Sequence, residues 1–138
     1  MQQMKFILLI TIMYTLTACS SAKLRETNPL FKSKWVLSEL NGTPVQMSNT
    51  DKDAHLNFSF NGMGVSGSGG CNRLTGTFIS KGDDLSFGPL ASTKMMCADS
   101  QFEAAFFAAI EKINQYAIVD NVLELKQDKK IVAKLIPR

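Results

Sequence analysis

The chain has 138 residues, with 15 lysines and arginines, 12 aspartates and glutamates and one histidine, for a formal net charge of +3 at pH 7. This length is typical of a single domain. The small positive excess, without interleaved basic and aromatic residues, argues against a nucleic-acid-binding protein. One histidine and three cysteines supply few metal ligands, and the spacings Cys-x-x-Cys and His-x-x-x-His do not occur. We therefore expect no metal, no cofactor and no nucleic acid partner.

The N-terminal segment has the features of a bacterial export signal. Lys5 precedes an apolar run over residues 6–16, and small residues follow that run. The run is too short for a helix that crosses a bilayer, which needs about 20 residues. A buried core strand or helix is the alternative, but the run shows no alternation of polar and apolar residues. We predict a signal peptide over residues 1–18.

The signal ends in four residues that resemble the lipobox of bacterial lipoproteins: Leu16, Thr17, Ala18 and Cys19. In those proteins a peptidase cuts before the cysteine, and the cysteine carries two or three fatty chains such as palmitate. The resemblance implies cleavage between Ala18 and Cys19 and stable anchoring, since two acyl chains hold a protein firmly at a membrane. Ser20 favours the outer membrane, with the protein facing the periplasm. Residues 19–30 would form a lipid-anchored tether, and residues 31–138 one domain.

Most of the remaining chain is predicted to form short antiparallel strands. Asn41-Gly42 and Asn61-Gly62 are hairpin signals, because both residue types tolerate positive φ. Alternating polarity and turn residues predict strands over residues 35–37, 44–47, 55–60, 63–67, 74–80, 85–87, 116–119, 122–125 and 131–136.

One amphipathic helix is predicted within this series of strands. Ser100 and Glu103 have the spacing of a capping box at its start. The following apolar residues share one helical face: Phe102, Ala105, Phe106, Ala109, Ile110 and Ile113. The predicted fold class is α+β, mainly antiparallel β, with a strongly curved or barrel-like sheet of about eight strands and one packed helix.

The glycines are concentrated in the centre of the chain, where all except Gly42 lie between Gly62 and Gly88. Gly62, Gly64 and Gly67 have the spacing G-x-G-x-x-G of a dinucleotide site. That site requires a helix directly after the glycines, whereas residues 66–70 are serine and glycine alone. The glycines therefore indicate bends and bulges in a coiled sheet.

Two short motifs resemble the META-domain family, whose best-known branch is the HslJ-like heat-shock proteins. They are Gly-Cys-Asn at residues 70–72 and Thr-Lys-Met-x-Cys at residues 93–97. The resemblance extends over residues 31–136, and Met96 stands where a small residue is more usual. It implies a compact β-rich fold with one helix and an association with envelope stress, antibiotic tolerance and, in some members, virulence or motility. It implies no shared catalytic mechanism.

Two cysteines remain if Cys19 carries lipid. In an oxidising compartment the pair Cys71 and Cys97 favours a disulfide over two buried free thiols. The closed loop would contribute roughly 3.5 kcal/mol on the chain-entropy model, provided that the two Cα atoms lie within about 7 Å. The alternative is a thiol-dependent enzyme that uses Cys71 or Cys97. Such an enzyme needs a base, and His55, the only histidine, lies on the polar face of a predicted strand.

Four polar residues occupy the family motifs: Asn72, Arg73, Thr93 and Lys94. They either satisfy backbone groups around the glycine bends or line a binding rim, and we favour the structural role. A basic group over residues 126–138 alternates with an apolar strand, which favours a solvated strand face over contact with anionic lipid headgroups.

The predicted protein is a monomeric, non-enzymatic envelope lipoprotein, held at the membrane through Cys19, that binds an envelope protein or an apolar ligand. Another interpretation is a pilot- or chaperone-like lipoprotein that holds a peptide or a lipid in the barrel mouth. That interpretation requires an apolar cavity lined by methionines or by aromatic residues such as Phe58, Phe60, Phe78 and Phe106.

Overall fold

The computed structural model describes residues 28–98 and 100–138. The predicted signal peptide, its cleavage site between Ala18 and Cys19 and most of the predicted tether lie outside these residues. Within the described part, no helix has the length and hydropathy needed to span a membrane. The described chain opens with a 3-10 turn, Pro29–Phe31, in which the Asn28 side chain accepts a hydrogen bond from the Leu30 amide.

The described residues form nine strands and one α-helix. All strand pairs are antiparallel, in the order β2-β1-β3-β4-β5-β6-β7-β8-β9, and β1 also pairs with β9. Eight strands therefore close a ring, and β2 extends one edge of β1, which confirms the predicted α+β class and barrel-like sheet. The elements are β1 (Trp35–Leu40), β2 (Thr43–Pro44), β3 (His55–Ser59), β4 (Gly64–Ser68), β5 (Arg73–Lys81), β6 (Asp84–Ser92), α1 (Ser100–Ile110), β7 (Gln115–Val119), β8 (Val122–Gln127) and β9 (Lys130–Pro137).

Both predicted hairpin turns connect paired strands. Asn41 and Gly42 have φ values of 50° and 81° and join β1 to β2. Gly62, with φ of 73°, lies in the 3-10 turn between β3 and β4. The predicted strand over residues 44–47 is shorter than expected, and Phe60 begins the turn instead of ending β3.

Strand β6 is longer than its predicted core of residues 85–87, because it continues through Gly88 and Pro89 to Ser92. It pairs with β5 along its length but with β7 only at Asp84 and Gln115. Proline lacks an N–H group and is tolerated where a strand edge has little sheet pairing. The weak β6–β7 junction therefore accommodates Pro89.

Helix α1 ends at Ile110, before the predicted end at Ile113, and its buried residues are Glu103, Phe106 and Ile110. These three positions follow the spacing i, i+3 and i+7 of one helical face. The buried face is therefore rotated from the predicted stripe, because Ala105 is exposed and Glu103 is not.

The interior of the ring is filled by side chains. Trp35, Phe78 and Phe106 are among the largest fully buried residues. The rings of Phe58 and Phe78 pack edge to face with centroids 5.2 Å apart. Phe58, Phe78 and Phe106 are all part of this packed core, which argues against a ligand cavity lined by these three side chains.

Candidate functional site

The loop between β4 and β5 contains the Gly-Cys-Asn motif and is shaped by its own hydrogen bonds. The Gly69 amide donates to the Asn72 carbonyl oxygen at 3.0 Å. The Ser68 hydroxyl donates to the same carbonyl at 3.1 Å and accepts from the Gly70 amide at 3.1 Å. Gly70 has φ of 111°, a conformation that side chains disfavour. The loop is therefore a compact turn with its amides directed inwards.

Glu103 of α1 accepts hydrogen bonds from two other main-chain amides of the loop. Its carboxylate accepts hydrogen bonds from the Asn72 amide at 2.6 Å and the Cys71 amide at 3.3 Å. A third bond, also 2.6 Å, comes from the Asn72 side-chain amide. Glu103 is only 6% exposed. It forms no ion pair with any described residue. Hydrogen bonds from N–H groups thus compensate this buried carboxylate.

Asn72 joins the loop to the segment after β6. Its Oδ1 accepts from the Thr93 hydroxyl at 2.8 Å and from the Met95 amide at 2.7 Å. The Thr93 hydroxyl in turn accepts from the Arg73 amide at 3.1 Å. One asparagine side chain therefore connects helix α1, the glycine loop and the Thr-Lys-Met-x-Cys motif.

A disulfide joins Cys71 to Cys97, with the two Cα atoms 6.1 Å apart. It links the same two segments that Asn72 joins by hydrogen bonds, and the side-chain Nδ2 of Asn72 lies 3.3 Å from the Cys97 sulfur. The glycine loop, helix α1 and the segment after β6 are therefore joined by the disulfide and by hydrogen bonds of Glu103, Asn72 and Thr93. We call this region the Glu103 junction.

The four predicted motif residues separate into two groups. Asn72 is 7% exposed and belongs to the interior of the Glu103 junction, so it is not a rim residue. Thr93 is exposed as a residue, but its hydroxyl group forms hydrogen bonds within the junction. Arg73 and Lys94 are exposed and can contact a ligand or partner.

Sequence reasoning assigned Glu103 to a helix cap and missed its role in the junction. The helix begins at Ser100, and both carboxylate oxygens of Glu103 are directed to the glycine loop instead. A signal was present in the sequence, since Glu103 shares the helical face of Phe106 and Ile110. A charged residue on an apolar face indicates a buried polar contact.

His55 is half-buried in β3, where its Nδ1 lies 2.8 Å from the Asp53 carbonyl oxygen. It lines the same surface groove as Cys71, but the Cys71 sulfur is bonded to Cys97. Within residues 28–98 and 100–138, no three histidine, cysteine or acidic side chains are placed to hold a metal ion.

An open groove runs beside the disulfide, with a volume of about 690 Å³. Its lining includes Val45, Met47, Met96 and Phe102, together with both cysteines. A second groove of about 520 Å³ along α1 shares Val45, Gln46 and Phe102 with the first. We call these two adjoining grooves together the methionine groove.

Exposed methionine side chains lie at one side of the methionine groove. Met96 is 102% exposed and the adjacent Met95 is 57% exposed. Methionine side chains are flexible and polarisable, and they recur at surfaces that bind apolar protein segments. The Glu103 junction fixes the backbone on which both methionines are presented.

The family model of the META domain matches residues 28–136 of the chain. None of the curated proteins searched is significantly similar to the chain.

Three solved structures are similar in fold. A protein with an NMR structure is 28% identical, with a TM-score of 0.60 over 77% of this chain and 90% of that chain. An NMR structure from Burkholderia xenovorans is 26% identical, with a TM-score of 0.62 over 79% of this chain and 83% of that chain. The crystal structure of a DUF4847 family protein from Bacteroides vulgatus is 15% identical, with a TM-score of 0.55 over 81% and 94% of the two chains. At that identity the last comparison supports the fold alone.

Proposed function

The chain belongs to the META domain family, and on that premise we propose that it is a bacterial envelope lipoprotein that binds an apolar segment of another envelope protein. The lipobox residues Leu16 to Cys19 support the anchor and its lipid. The resemblance to envelope-stress proteins supports a role in envelope integrity or antibiotic tolerance, and Ser20 supports the outer membrane.

The exposed Met96 at the rim of the methionine groove carries the binding part of this proposal. A fully exposed methionine next to a disulfide-fixed backbone loses little backbone entropy on binding, since its main chain is already held. The side chain can adapt to different apolar partners. Such a surface suits protein contact better than it suits a single rigid ligand.

The shape of the groove also favours a protein segment over a small apolar molecule. The depression continues from the disulfide along α1, and exposed polar residues such as Gln46 and Ser48 form part of its wall. Enclosed ligand pockets bury most of a small molecule, whereas an elongated open groove matches an extended peptide.

The bonding of the motif residues supports a non-enzymatic role. A thiol-dependent enzyme needs a free thiolate, whereas Cys71 and Cys97 share a disulfide. The side chains of Asn72 and Thr93 form hydrogen bonds inside the Glu103 junction.

Site-specific photo-crosslinking in intact cells tests the proposal. A photoreactive amino acid would replace Met96 in one variant and Ile79 in the matched control, since Ile79 is 72% exposed on β5. We expect a discrete crosslinked protein at position 96 and none at position 79. A Cys19→Ala chain should lose that product because it is no longer held at the membrane.

Crosslinks of equal yield at both positions would show non-specific contact and exclude the groove as the partner site. A product at position 96 that persists undiminished in the Cys19→Ala chain would separate the groove from the anchor and overturn the lipoprotein part.

A further inference from the structure

A third groove adjoins the methionine groove at Lys52, Gly70 and Cys71 and extends over the side of the sheet opposite the core. It has a volume of about 830 Å³ and is lined by residues of β3, β4, β5 and β6. His55 and Asn57 in its lining alternate with the buried Leu56 and Phe58, which places the groove on the outer face. We call it the outer groove.

The outer groove is electropositive. Its charged lining residues are Lys34, Lys52, Arg73 and Asp51. Asp51 is paired with Lys34 at 3.1 Å. Lys52 and Arg73 form no ion pair with any other described residue, so two cationic side chains remain to attract an anion.

Two basic residues of the β8–β9 face differ from this pair. Lys134 is held by Glu39 and Lys126 by Glu124, each at 2.9 Å. The β8–β9 face therefore neutralises part of its own positive charge. Lys52 and Arg73 are instead exposed and lie beside a concave surface.

Small residues make the floor of the groove. Ser66, Thr75 and Ala91 contribute short side chains there, and Gly67 contributes main chain alone. A Cβ atom at Gly67 would overlap the carbonyl oxygen of His55, so the close approach of β3 and β4 requires glycine. Hydroxyl groups on this floor add hydrogen-bond donors to the cationic rim.

The Glu103 junction fixes the main chain at Arg73. The Arg73 amide donates to the Thr93 hydroxyl, and the Thr93 amide donates to the Arg73 carbonyl, each at 3.1 Å. The origin of the guanidinium side chain is therefore fixed before any ligand binds, which lowers the cost of ordering it.

We propose that the outer groove binds a phosphate group, with Lys52 and Arg73 as its charged ligands. A phosphate presents several oxygens and up to two negative charges, which suit a site rich in cationic and hydroxyl donors. The planar guanidinium of arginine matches two phosphate oxygens at once. The lining holds no phenylalanine, tyrosine or tryptophan, so it lacks the large stacking surfaces that are typical of sites for a sugar ring or a base.

Two sources present this chemistry: free phosphate and the phosphate of a lipid headgroup. The lipid source rests on the proposed anchor, which would hold the domain beside a membrane. Binding of the free ion requires no anchor. A failure of the lipoprotein proposal is thus distinguishable from a failure of this one.

The test is a titration of the full chain in nonionic detergent, followed by NMR of the amide groups of Ser66, Gly67 and Arg73. Inorganic phosphate is the first probe, and short-chain phosphatidylglycerol is the second. Sodium chloride at matched ionic strength controls for screening. We expect saturable shifts that chloride does not reproduce, from phosphate if the free ion is the ligand or from the lipid alone if the headgroup is.

The variant Lys52→Gln/Arg73→Gln should weaken the apparent affinity at least about tenfold, since two charge-assisted contacts are lost. The matched control Lys81→Gln/Lys112→Gln removes two exposed cations outside the groove and should retain the affinity. If the double variant were unfolded, Lys52→Gln alone would provide the comparison. The proposal is wrong if neither probe gives a saturable shift, or if both pairs of substitutions weaken binding equally.

Discussion

The carboxylate of Glu103 and the two N–H donors of Asn72 meet through hydrogen bonds of 2.6 Å, one from the main chain and one from the side chain. The contact joins helix α1 to the glycine loop, at the Gly-Cys-Asn motif. Removing the carboxylate leaves buried donors without acceptors, and each such donor carries its full desolvation cost.

We therefore expect Glu103→Ala to lower the free energy of unfolding by about 2 to 4 kcal/mol, measured by urea denaturation with the disulfide intact. Glu103→Gln keeps the size of the side chain but sets an amide NH₂ against the Asn72 donors, and should lower it by about 1 to 3 kcal/mol. The matched control Glu111→Ala removes an exposed carboxylate and should change the value by less than about 0.5 kcal/mol. Equal effects at both glutamates would contradict this role.

Much of the fold was predictable because the local signals were strong. Asn41-Gly42 marks a turn whose backbone only such residues adopt easily, and the alternation around Leu56 and Phe58 assigns the inner face of β3. The extension of β6 through Pro89 was not predictable, since it depends on the nearly unpaired β6–β7 edge. Pairing between strands distant in sequence decides whether a proline is tolerated.

The same limit applies to the candidate site. The pairing of Cys71 with Cys97 followed from their number and the expected compartment. The acceptor for the loop amides, Glu103, lies 31 residues from Asn72 in sequence, and capping-box spacing gave it a local role instead. The apolar face shared with Phe106 and Ile110 was the signal that should have outweighed the cap.

Gly69 provides a second test of the Glu103 junction. A Cβ atom there would lie 2.7 Å from Glu103 Oε1, too close for the packed carboxylate to remain in place. We expect Gly69→Ala to lower the free energy of unfolding by about 1 to 3 kcal/mol. Gly64→Ala is the control, because its extended φ of −87° suits alanine and its nearest contact is 4.0 Å away.

The control should be neutral or stabilising by up to about 1 kcal/mol, since alanine reduces the entropy of the unfolded chain. Thermal unfolding of both variants gives the comparison. A Gly69→Ala protein as stable as the Gly64→Ala protein would show that the helix and the loop are not tightly packed.

The disulfide predicts both chemical and thermodynamic behaviour. Native, unreduced Cys19→Ala chain should take up no alkylating reagent at Cys71 or Cys97, as mass spectrometry of its peptides would show. The disulfide joins cysteines that are 26 residues apart in sequence. Its removal in Cys71→Ser/Cys97→Ser should therefore lower the free energy of unfolding by about 3.5 kcal/mol on the chain-entropy model. Labelling of either cysteine without reductant would instead support a reactive thiol.

Asp53 should contribute to the acid dependence of stability. The Ser48 hydroxyl and the Ser48 amide each donate to its carboxylate at 2.7 Å, and Arg138 donates at 3.0 Å. These bonds hold the pKa of Asp53 well below its usual range, with the Ser48 hydroxyl as the largest cause. A lowered pKa stabilises the folded state fully at pH values above the unfolded pKa of about 3.9. The stabilisation is lost as the pH falls through the lower pKa of the folded state.

Urea denaturation at several pH values between about 5 and 2 therefore distinguishes three proteins. The wild type should lose stability most steeply on acidification, because Asp53 must be protonated as it unfolds. Asp53→Asn should be less stable at neutral pH and show a flatter acid limb, since its amide does not titrate. Ser48→Ala should lie between them, because one donor is removed and the pKa of Asp53 rises towards its usual value. Parallel acid limbs for the wild type and Asp53→Asn would show that this carboxylate does not couple folding to pH.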